Sequence, residues 1–378
     1  MDPVLLQTVF WGSAGVVVYT FAGYPVLVWI LSWILARPTL KRFPVTFPRV
    51  SVVLAAGDER ERIAARLDNL LASDYPSERM EIVVVSDGST DGTAEVVAGY
   101  ADRGVRLVRQ ERRSGKAACL NAGVPRASGE IIVLCDARQR FSAGTISELA
   151  ANFADAQVGA VSGELFIESA ESGVGGGVDL YWKLEKFIRE SEARFSSVIG
   201  ATGAVYAIRK ELFEPLPVDT LLDDVVIPMR IALRGYRVGF DPGAPAFDPQ
   251  TTDPAREKRR KLRTLAGNFQ LLFRYPAWLS PRRTGLWWQL LSHKYARVFA
   301  PFFMASMWVT NALLSPIDLY RWLFQAHCGF YLLALLGGLL PGAKSRLLSI
   351  PSGFVFLNLM AVGGLWNYLR GAYREGRW

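Results

Sequence analysis

The apolar positions of this chain form long uninterrupted runs toward its two ends and short runs, separated by polar residues, in its middle. Between Asp2 and Arg37 no charged residue occurs, and this run exceeds the roughly 20 residues that a helix needs to cross a bilayer. A cleaved signal peptide would have a shorter apolar core and a small-residue cleavage site after it. The pattern predicts an N-terminal membrane span within residues 1–40, with an irregular point at Gly23-Tyr24-Pro25.

From Pro48 onward, short runs rich in Val and Ile alternate with helical patterns. This alternation favours an α/β fold with a doubly wound, mainly parallel sheet and right-handed crossovers. The predicted strands are Val50 to Ala55, Glu81 to Ser86, Val105 to Arg109 and Glu130 to Cys135, and the predicted helices are Arg60 to Leu71, Thr93 to Ala101 and Gly115 to Pro125.

Polar residues follow two of these strands. The run Ile131 to Cys135 ends in Asp136, at the sheet edge where open α/β sheets bind ligands, although a simple Asp turn would give the same pattern. The second strand ends in two Asp-Gly turns, which suit a ligand but also mark ordinary loops. The chain has no Gly-x-Gly-x-x-Gly after the first strand and no Gly-x-x-x-x-Gly-Lys-Ser/Thr, which argues against a dinucleotide dehydrogenase and a P-loop NTPase.

Four segments of the chain follow one another with a characteristic spacing: Ser51 to Glu59, Val83 to Thr93, Arg113 to Gly123, and Asp136. Their order and spacing resemble the successive motifs of family-2 glycosyltransferases with the GT-A fold. With its flanking spans, the chain resembles the membrane-bound branch that includes cellulose, chitin and hyaluronan synthases. The resemblance implies a GT-A nucleotide-sugar-binding domain in residues 48–250, inserted between transmembrane helices.

This resemblance implies that a nucleotide sugar, usually a UDP sugar, binds across the strand ends. Asp58 and Glu59 would then lie near the nucleoside, Asp87 would contact the base, and Lys116 would approach the base or the diphosphate. Asp136 corresponds to the first Asp of the family's metal-binding Asp-x-Asp. It implies that Mg²⁺ or Mn²⁺ is held against the diphosphate.

The chain departs from the family pattern at Arg138, which stands where the second Asp of Asp-x-Asp would be. An Arg cannot ligate a cation. Either Asp136 holds the metal together with other groups, or Arg138 itself supplies part of the positive charge, for which a guanidinium is well suited. An ordinary surface Arg is the third alternative.

The resemblance places the acceptor half of the domain after Phe141. The small residues from Gly200 to Ala204 permit the close approach of a sugar, and we expect Thr202 and Gly203 to contact the acceptor. Glu164, at the end of a strand predicted from Val158, is expected to contribute to the same site.

Adjacent carboxylates at Asp223 and Asp224 suit the start of a helix, where they complement its dipole. In the family such a pair carries the catalytic base. The resemblance therefore implies that Asp224 takes the proton of the acceptor hydroxyl during inverting transfer, with Asp223 in support.

The net charge of +8 and pI of about 9.4 would suit nucleic acid or an anionic membrane surface. Much of this charge lies in a basic amphipathic helix predicted within residues 254–276, which favours an interfacial helix and argues against nucleic acid. Processive synthases of the family carry Gln-x-x-Arg-Trp in this region. Here Glu257 to Lys261 lacks both Gln and Trp, which argues against processive extension and leaves Arg260 as a candidate for binding the diphosphate.

Further apolar runs predict about three transmembrane helices within residues 295–370: Val298 to Leu314, Trp322 to Leu340 and Leu347 to Leu369. Basic residues directly after the first span place the domain in the cytoplasm of a multi-pass inner-membrane protein. The three Cys and two His residues form no zinc or disulfide pattern, which agrees with a reduced compartment. One plus three spans would put both termini outside, whereas basic residues near the C-terminus favour a cytoplasmic tail, and this conflict stays open.

Three functions remain open from the sequence. The favoured one is a glycosyltransferase that modifies a lipid-linked or glycan acceptor at the cytoplasmic membrane face, in polysaccharide or glycolipid biosynthesis. The second is a processive synthase that elongates and translocates its polymer, and the third is a non-catalytic membrane component that binds sugar nucleotides. Expected partners are the nucleotide sugar, the acceptor, membrane lipids, and export or polymerisation proteins.

Overall fold

The computed structural model describes residues 2–44, 46–168, 175–249, 254–340 and 345–371, and the chain divides into two compact units. The membrane unit takes its described residues from Met1–Ile34, Ala170–Ser191 and Asp253–Arg370, and the sheet unit takes them from Leu35–Ser169, Glu192–Thr252 and Gly371–Trp378. The strands are β1 (Val50–Ala56), β2 (Met80–Asp87), β3 (Val105–Gln110), β4 (Ile131–Cys135), β5 (Arg140–Phe141), β6 (Val158–Glu168), β7 (Val205–Arg209) and β8 (Arg237–Pro249).

The helices cover most of the rest of the described chain. In chain order they are α1 (Pro3–Val18), α2 (Tyr24–Ile34), α3 (Arg60–Leu71), α4 (Thr93–Ala98), α5 (Lys116–Arg126), α6 (Thr145–Ala151), α7 (Gly175–Phe195), α8 (Asp223–Leu233), α9 (Pro254–Arg274), α10 (Trp287–Gln289), α11 (Ala296–Leu314), α12 (Asp318–Leu339) and α13 (Arg346–Leu369). Short 3-10 turns occupy Ser77–Arg79, Ala101–Arg103, Asn152–Ala154, Lys210–Leu212 and Pro276–Leu279.

One mixed sheet organises the sheet unit, with strand order β3-β2-β1-β4-β7-β6-β8-β5. Strands β3, β2, β1 and β4 run parallel, β7 is antiparallel to both β4 and β6, and β8 pairs parallel with β6 and antiparallel with β5. The mostly parallel order confirms the predicted fold class. Since β1 and β4 are buried along their whole length, their branched apolar residues need no polar alternation.

The local elements follow the sequence pattern closely in the first half of the sheet unit. Helix α3 has the predicted bounds, whereas α4 ends at Ala98, three residues before its predicted end, and a 3-10 turn follows. Strand β6 continues four residues past Glu164 to Glu168, because it pairs with β8 as far as Pro249. No local pattern predicted β5 or β8.

The segment that leaves the first span is bound to the sheet unit. The backbone N–H of Arg37 donates to the carbonyl of Arg194 at 2.7 Å, and Lys41 forms ion pairs with Glu148 and, at 2.7 Å, with Asp241. Burial works against the charge of Lys41, but these two carboxylates outweigh it and raise its pKa. Residues 35–44, which we call the strap, are therefore bound to the sheet unit.

Four helical stretches of the membrane unit are long and apolar enough to cross a bilayer, which makes this a membrane protein. The first and second contain π-helical turns at Tyr19–Gly23 and Leu290–Tyr295, and the irregular point predicted at Gly23-Tyr24-Pro25 falls at the end of the first turn. The stretches are Pro3–Ile34, Trp287–Leu314, Asp318–Leu339 and Arg346–Leu369.

Two contacts hold the amphipathic helices within the membrane unit. On α7, Glu185 hydrogen-bonds His293 Nε2 at 3.0 Å and accepts from Arg297 Nη1 at 2.6 Å. Helix α9 packs on α13, where a Cβ added to Gly364 would lie 2.4 Å from the Cβ of Leu265. The glycine thus allows the basic helix to approach a span closely.

Candidate active site

Lys116 contacts carboxylates from both parts of the predicted site, the donor part and the catalytic pair. It opens α5, Asp136 directly follows β4, and Asp223 opens α8. The Lys116 Nζ lies 2.7 Å from Asp136 Oδ1 and 3.3 Å from Asp223 Oδ2. One ammonium group therefore connects the expected donor residue to the expected catalytic pair.

The charge of Lys116 is fixed by this environment. Burial opposes the protonated form, but the carboxylates of Asp136, Asp223 and Asp224 outweigh burial and hold the pKa of Lys116 well above its usual value. Lys116 therefore remains a cation at physiological pH and cannot act as a base. Its partner Asp136 keeps 41% of its side chain exposed, so this carboxylate faces solvent as well as the lysine.

The acceptor segment lies against the start of α8. The N–H of Gly203 donates to Asp224 Oδ2 at 3.1 Å, and the N–H of Ala201 donates to the backbone carbonyl of Asp224 at 2.6 Å. A Cβ on Gly203 would lie 3.1 Å from that Oδ2 and 3.4 Å from Lys116 Nζ. The N–H of Thr202 bonds Ser162 Oγ at 2.9 Å. The structure thus brings Thr202 and Gly203 to the carboxylate expected to act as base.

Glu164 lies on the same strand as Ser162, within β6, and is 7% exposed. Its acceptor role stays a prediction.

Tyr206 is a site residue that the sequence analysis did not select. Tyr206 lies in β7 and is fully buried. Its hydroxyl donates a hydrogen bond to Asp223 Oδ2 at 3.3 Å. Burial, followed by the charges of Asp223 and Asp224, raises the pKa of Tyr206 far above its usual value. It therefore stays protonated and holds Asp223 in place as a donor. The long-range pairing of Tyr206 with Leu134 of β4 and with Ser162 of β6 brings it here.

The expected nucleoside residues line a cleft at the end of β1. Asp58 has a φ of 54°, an uncommon value for a residue other than glycine, and its Oδ1 accepts the N–H of Thr90 at 2.9 Å. Arg113 pairs with Asp58 at 2.5 Å. The cleft has a volume of about 350 Å³ and is lined by Asp58, Glu59, Arg60, Glu61, Arg62 and Asp91.

Asp87 is fully buried beneath the loop that leads to Lys116. Its two oxygens accept the backbone N–H groups of Ser114 at 2.6 Å and Gly115 at 2.9 Å. Asp87 thus fixes the backbone directly before Lys116, while its expected contact with the base stays a prediction.

Arg138 forms an ion pair with Asp248, near the end of β8. Gln139 Nε2 donates to the other carboxylate oxygen of Asp248 at 3.2 Å. Burial raises the pKa of Asp248 above its usual value even though Arg138 and Gln139 oppose this shift. No local pattern marks Asp248 as the partner, because 110 residues separate it from Arg138.

Arg260, the remaining expected donor residue, lies on α9 in the membrane unit, whereas the other expected site residues lie in the sheet unit. Its binding to the diphosphate therefore stays a prediction.

The carboxylates present do not form a complete metal site by themselves. In the part of the chain that the structure describes, no group of three or more His, Cys, Asp or Glu side chains is arranged to hold a metal ion. Asp136 offers one partly exposed carboxylate, with Lys116 on its Oδ1, and Arg138 is paired elsewhere. Asp136 is thus the one ligand that the resemblance implies here, and a divalent cation beside it would need further oxygen ligands from a bound substrate.

Comparison with known proteins shows which proteins this chain is similar to. Residues 51–216 match the family described as glycosyl transferase family 2. The chain is 29% identical over 200 residues to the poly-beta-1,6-N-acetyl-D-glucosamine synthase of Staphylococcus aureus strain COL, which covers 51% of this chain and 48% of that protein. It is 25% identical over 201 residues to the synthase of the same name from Staphylococcus epidermidis, which covers 52% and 48%. The chain thus matches about half the length of these curated relatives.

Among solved structures, the chain is similar to the mannosyltransferase PcManGT from Pyrobaculum calidifontis, determined in complex with GDP-Man and Mn²⁺. The TM-score is 0.75 at 22% sequence identity, over 96% of this chain and 99% of that one. The two proteins share a fold along almost their whole length.

Proposed function

Starting from the family-2 glycosyltransferase domain that this chain carries, we propose that the protein is a membrane-bound, inverting hexosyltransferase. It moves a sugar from a nucleotide sugar, a UDP sugar in this proposal, to a lipid-linked or glycan acceptor in polysaccharide or glycolipid biosynthesis. The synthase relatives favour a polysaccharide product. The basic residues after the first span favour a cytoplasmic catalytic domain on the inner membrane.

The contact of Lys116 with both Asp136 and Asp223 is the observation that carries this proposal. A donor diphosphate that bound beside Asp136 would have the protonated Lys116 next to it. Its sugar would then lie toward Asp224, whose side chain is bonded to the acceptor segment at Gly203. A non-catalytic sugar-nucleotide protein would not need a carboxylate in this position.

The transfer step needs one base and one leaving group. An acceptor hydroxyl oxygen attacks the anomeric carbon from the face opposite the diphosphate, and its proton passes to the carboxylate of Asp224. The bond between the anomeric carbon and the diphosphate oxygen breaks, and the electron pair leaves with the diphosphate. Lys116 stabilises the charge on this leaving group, and Asp223, held by Tyr206, orients Lys116.

We assign the divalent cation, Mg²⁺ or Mn²⁺, to Asp136 and the donor's diphosphate oxygens. When bound, it would neutralise part of the charge on the leaving diphosphate. The pairing of Arg138 with buried Asp248 supports this assignment over direct neutralisation by Arg138. The Mn²⁺ in the structure of the mannosyltransferase PcManGT also agrees with it.

A processive synthase is the second candidate, because the curated relatives are named as synthases of a polymer. The absence of Gln and Trp from Glu257 to Lys261 argues for single or short transfers instead. The length distribution of the products separates these two functions.

The test is donor turnover by the purified full chain in detergent or nanodiscs. UDP-GlcNAc, UDP-Glc and GDP-Man would each be supplied with Mn²⁺, Mg²⁺ or EDTA, and the released nucleoside diphosphate would be measured. We expect one donor to be turned over with a divalent cation and not with EDTA. Asp102→Asn, an exposed carboxylate in a 3-10 turn, should retain this activity, whereas Asp224→Asn should lose it.

If no donor is turned over above the level of Asp224→Asn, the proposed function is wrong. If EDTA leaves turnover unchanged, the enzyme stands but the metal assignment fails.

A further inference from the structure

A buried arginine outside the motifs lies next to the residues on either side of the segment that carries Asp136. Arg66 is on α3 and is 3% exposed. Its Nη1 donates to Asn69 Oδ1 at 2.9 Å, and its guanidinium carbon lies 4.1 Å from the ring centroid of Phe141. Within the described residues, the Nε and Nη2 of Arg66 have no hydrogen-bond partner. No ion pair with a carboxylate is found for Arg66 in that part of the chain either.

The neighbours of Arg66 locate its charge. Asn69 binds Phe141 to α3 through two hydrogen bonds. Its Oδ1 accepts from the backbone N–H of Phe141 at 2.8 Å, and its Nδ2 donates to the Phe141 carbonyl at 2.9 Å. On the other side, the guanidinium lies beside the thiol of Cys135. The two side chains interact electrostatically. Cys135 and Phe141 flank residues 136–140, so the charge lies under the segment that carries Asp136.

Burying a cation without a carboxylate partner is costly, and a thiol is only a weak acceptor. Packing against Phe141 alone would be served as well by an apolar side chain. The charge becomes favourable when an anion binds on the outer side of residues 136–140, because a buried charge acts over a longer distance than an exposed one.

We infer that Arg66 is a positioning residue that supplies, from beneath residues 136–140, the unpaired positive charge for the donor's diphosphate. This inference rests on the proposed function. In the sequence analysis Arg138 is a candidate for neutralising part of the diphosphate charge. Because Arg138 forms an ion pair with Asp248, this inference assigns that role to Arg66.

The experiment measures how affinity depends on ligand charge. Equilibrium binding of uridine, UMP and UDP to the full chain would be compared for the unchanged protein, Arg66→Gln and Arg66→Lys, with the guanosine series used if the protein prefers it. Arg66→Gln should weaken diphosphate binding by about tenfold, because one charge interaction in a partly desolvated site is lost. It should weaken the monophosphate less and leave the nucleoside unchanged, while Arg66→Lys should restore most of the loss.

Two further variants make the result specific. Asn69→Asp leaves Arg66 in place and puts a carboxylate against its Nη1, although it also removes the bond from Asn69 Nδ2 to the Phe141 carbonyl. It should weaken diphosphate binding in the same graded way, whereas the lost bond alone would not make the loss depend on ligand charge. Arg103→Gln removes an exposed arginine that pairs with Asp68 and should change none of the three affinities. Thermal unfolding would verify that each variant is folded.

An equal loss for all three ligands would make Arg66 a packing residue and overturn the inference. Unchanged diphosphate affinity in both Arg66→Gln and Asn69→Asp would also overturn it. If Arg66→Gln does not fold, Asn69→Asp alone decides between these outcomes. Failure of the unchanged protein to bind any nucleoside diphosphate would instead refute the proposed function.

Discussion

Two clusters at the end of β4 each pair a cation with carboxylates, but they differ in exposure. In the Lys116 cluster, formed with Asp136 and Asp223, the ammonium contacts two carboxylates, and Asp136 is partly open to solvent. In the Arg138 cluster, formed with Gln139 and Asp248, the guanidinium meets a carboxylate whose side chain is only 3% exposed.

This difference in exposure suggests that a ligand can displace the contact of Lys116 with Asp136 but not the contact of Arg138 with Asp248. A phosphate can take over part of the Lys116 contact, because water can still solvate the carboxylate of Asp136. Displacing Arg138 would leave Asp248 buried without its cation, which is strongly unfavourable. The Lys116 cluster thus contains one partly exposed carboxylate, Asp136, beside the buried Asp223, whereas the single carboxylate of the Arg138 cluster is buried, and we propose that this exposure separates a substrate site from a structural ion pair.

The largest effect on transfer is expected at the carboxylate beside the Lys116 cluster. Asp224→Asn keeps the shape of the side chain but removes the proton acceptor, so we expect transfer to fall by about 10³-fold, within the range for general base catalysis. Nucleotide affinity should stay within about twofold, because the donor contacts remain. Single-turnover transfer and equilibrium donor binding would measure the two effects separately.

Asp223→Asn is the matched comparison. It should slow transfer less than Asp224→Asn does, because Asp223 acts through Lys116 and Tyr206. Equal losses in the two variants would contradict the assignment of the base to Asp224.

A smaller effect is expected from Lys116 itself. Lys116→Met leaves the neighbouring carboxylates without their shared cation, and we expect kcat/KM for the donor to fall by about 10²-fold through lost charge stabilisation. Lys116→Arg should retain more activity because it retains the charge. Steady-state kinetics over pH 6 to 9 would also show whether the rate lacks a basic limb from Lys116, as its raised pKa requires.

The smallest effect on transfer is expected in the Arg138 cluster, where stability should change instead. Arg138→Met should alter donor affinity by less than about threefold, yet reduce the free energy of unfolding by about 3 kcal/mol because Asp248 loses its cation. Chemical unfolding in detergent would measure the loss, and Arg140→Met, an exposed pair with Glu168, serves as its control. A large loss of donor affinity with unchanged stability would show that Arg138 does serve the diphosphate.

The pH dependence of that stability has a definite sign. The raised pKa of Asp248 means that the folded chain retains a proton to a higher pH than the unfolded chain, for which 3.8 is the usual value. This group's contribution therefore becomes less favourable as the pH rises from about 3.8 through the raised pKa. Arg138→Met should make this decrease steeper, and Asp248→Asn should remove it.

The sequence predicted the parallel strands well, because β1, β2 and β4 consist largely of branched apolar residues, which is typical of strands buried on both faces. The strand pattern placed Asp136 at the sheet edge, whereas Lys116 and Asp224 were selected by the family resemblance, and the structure brings Lys116 Nζ to 2.7 Å from Asp136 Oδ1. These predictions depended on short segments whose chemistry is visible within a few residues.

The contacts made across long sequence distances were not predictable in the same way. Asp248 reaches Arg138 only through β8, a strand with mixed polar and small residues that folds by pairing with β6. Tyr206 reaches the site because β7 pairs with β4 in the register that sets it opposite Leu134. Arg66 lies on α3, and the sequence of this helix does not mark it as different from other arginines. Each of these partners is set by tertiary packing rather than by a local pattern.

The strap after the first span has a practical consequence for preparing the sheet unit alone. A fragment cut at Pro48, where the strand pattern begins, would lose the backbone bond from Arg42 to Ala151 and the cation that Asp241 and Glu148 share. Two carboxylates would then face each other without a counter-charge. An expression fragment should therefore start at Leu35, and trypsin should cut at Lys41 and Arg42 slowly while the strap is in place.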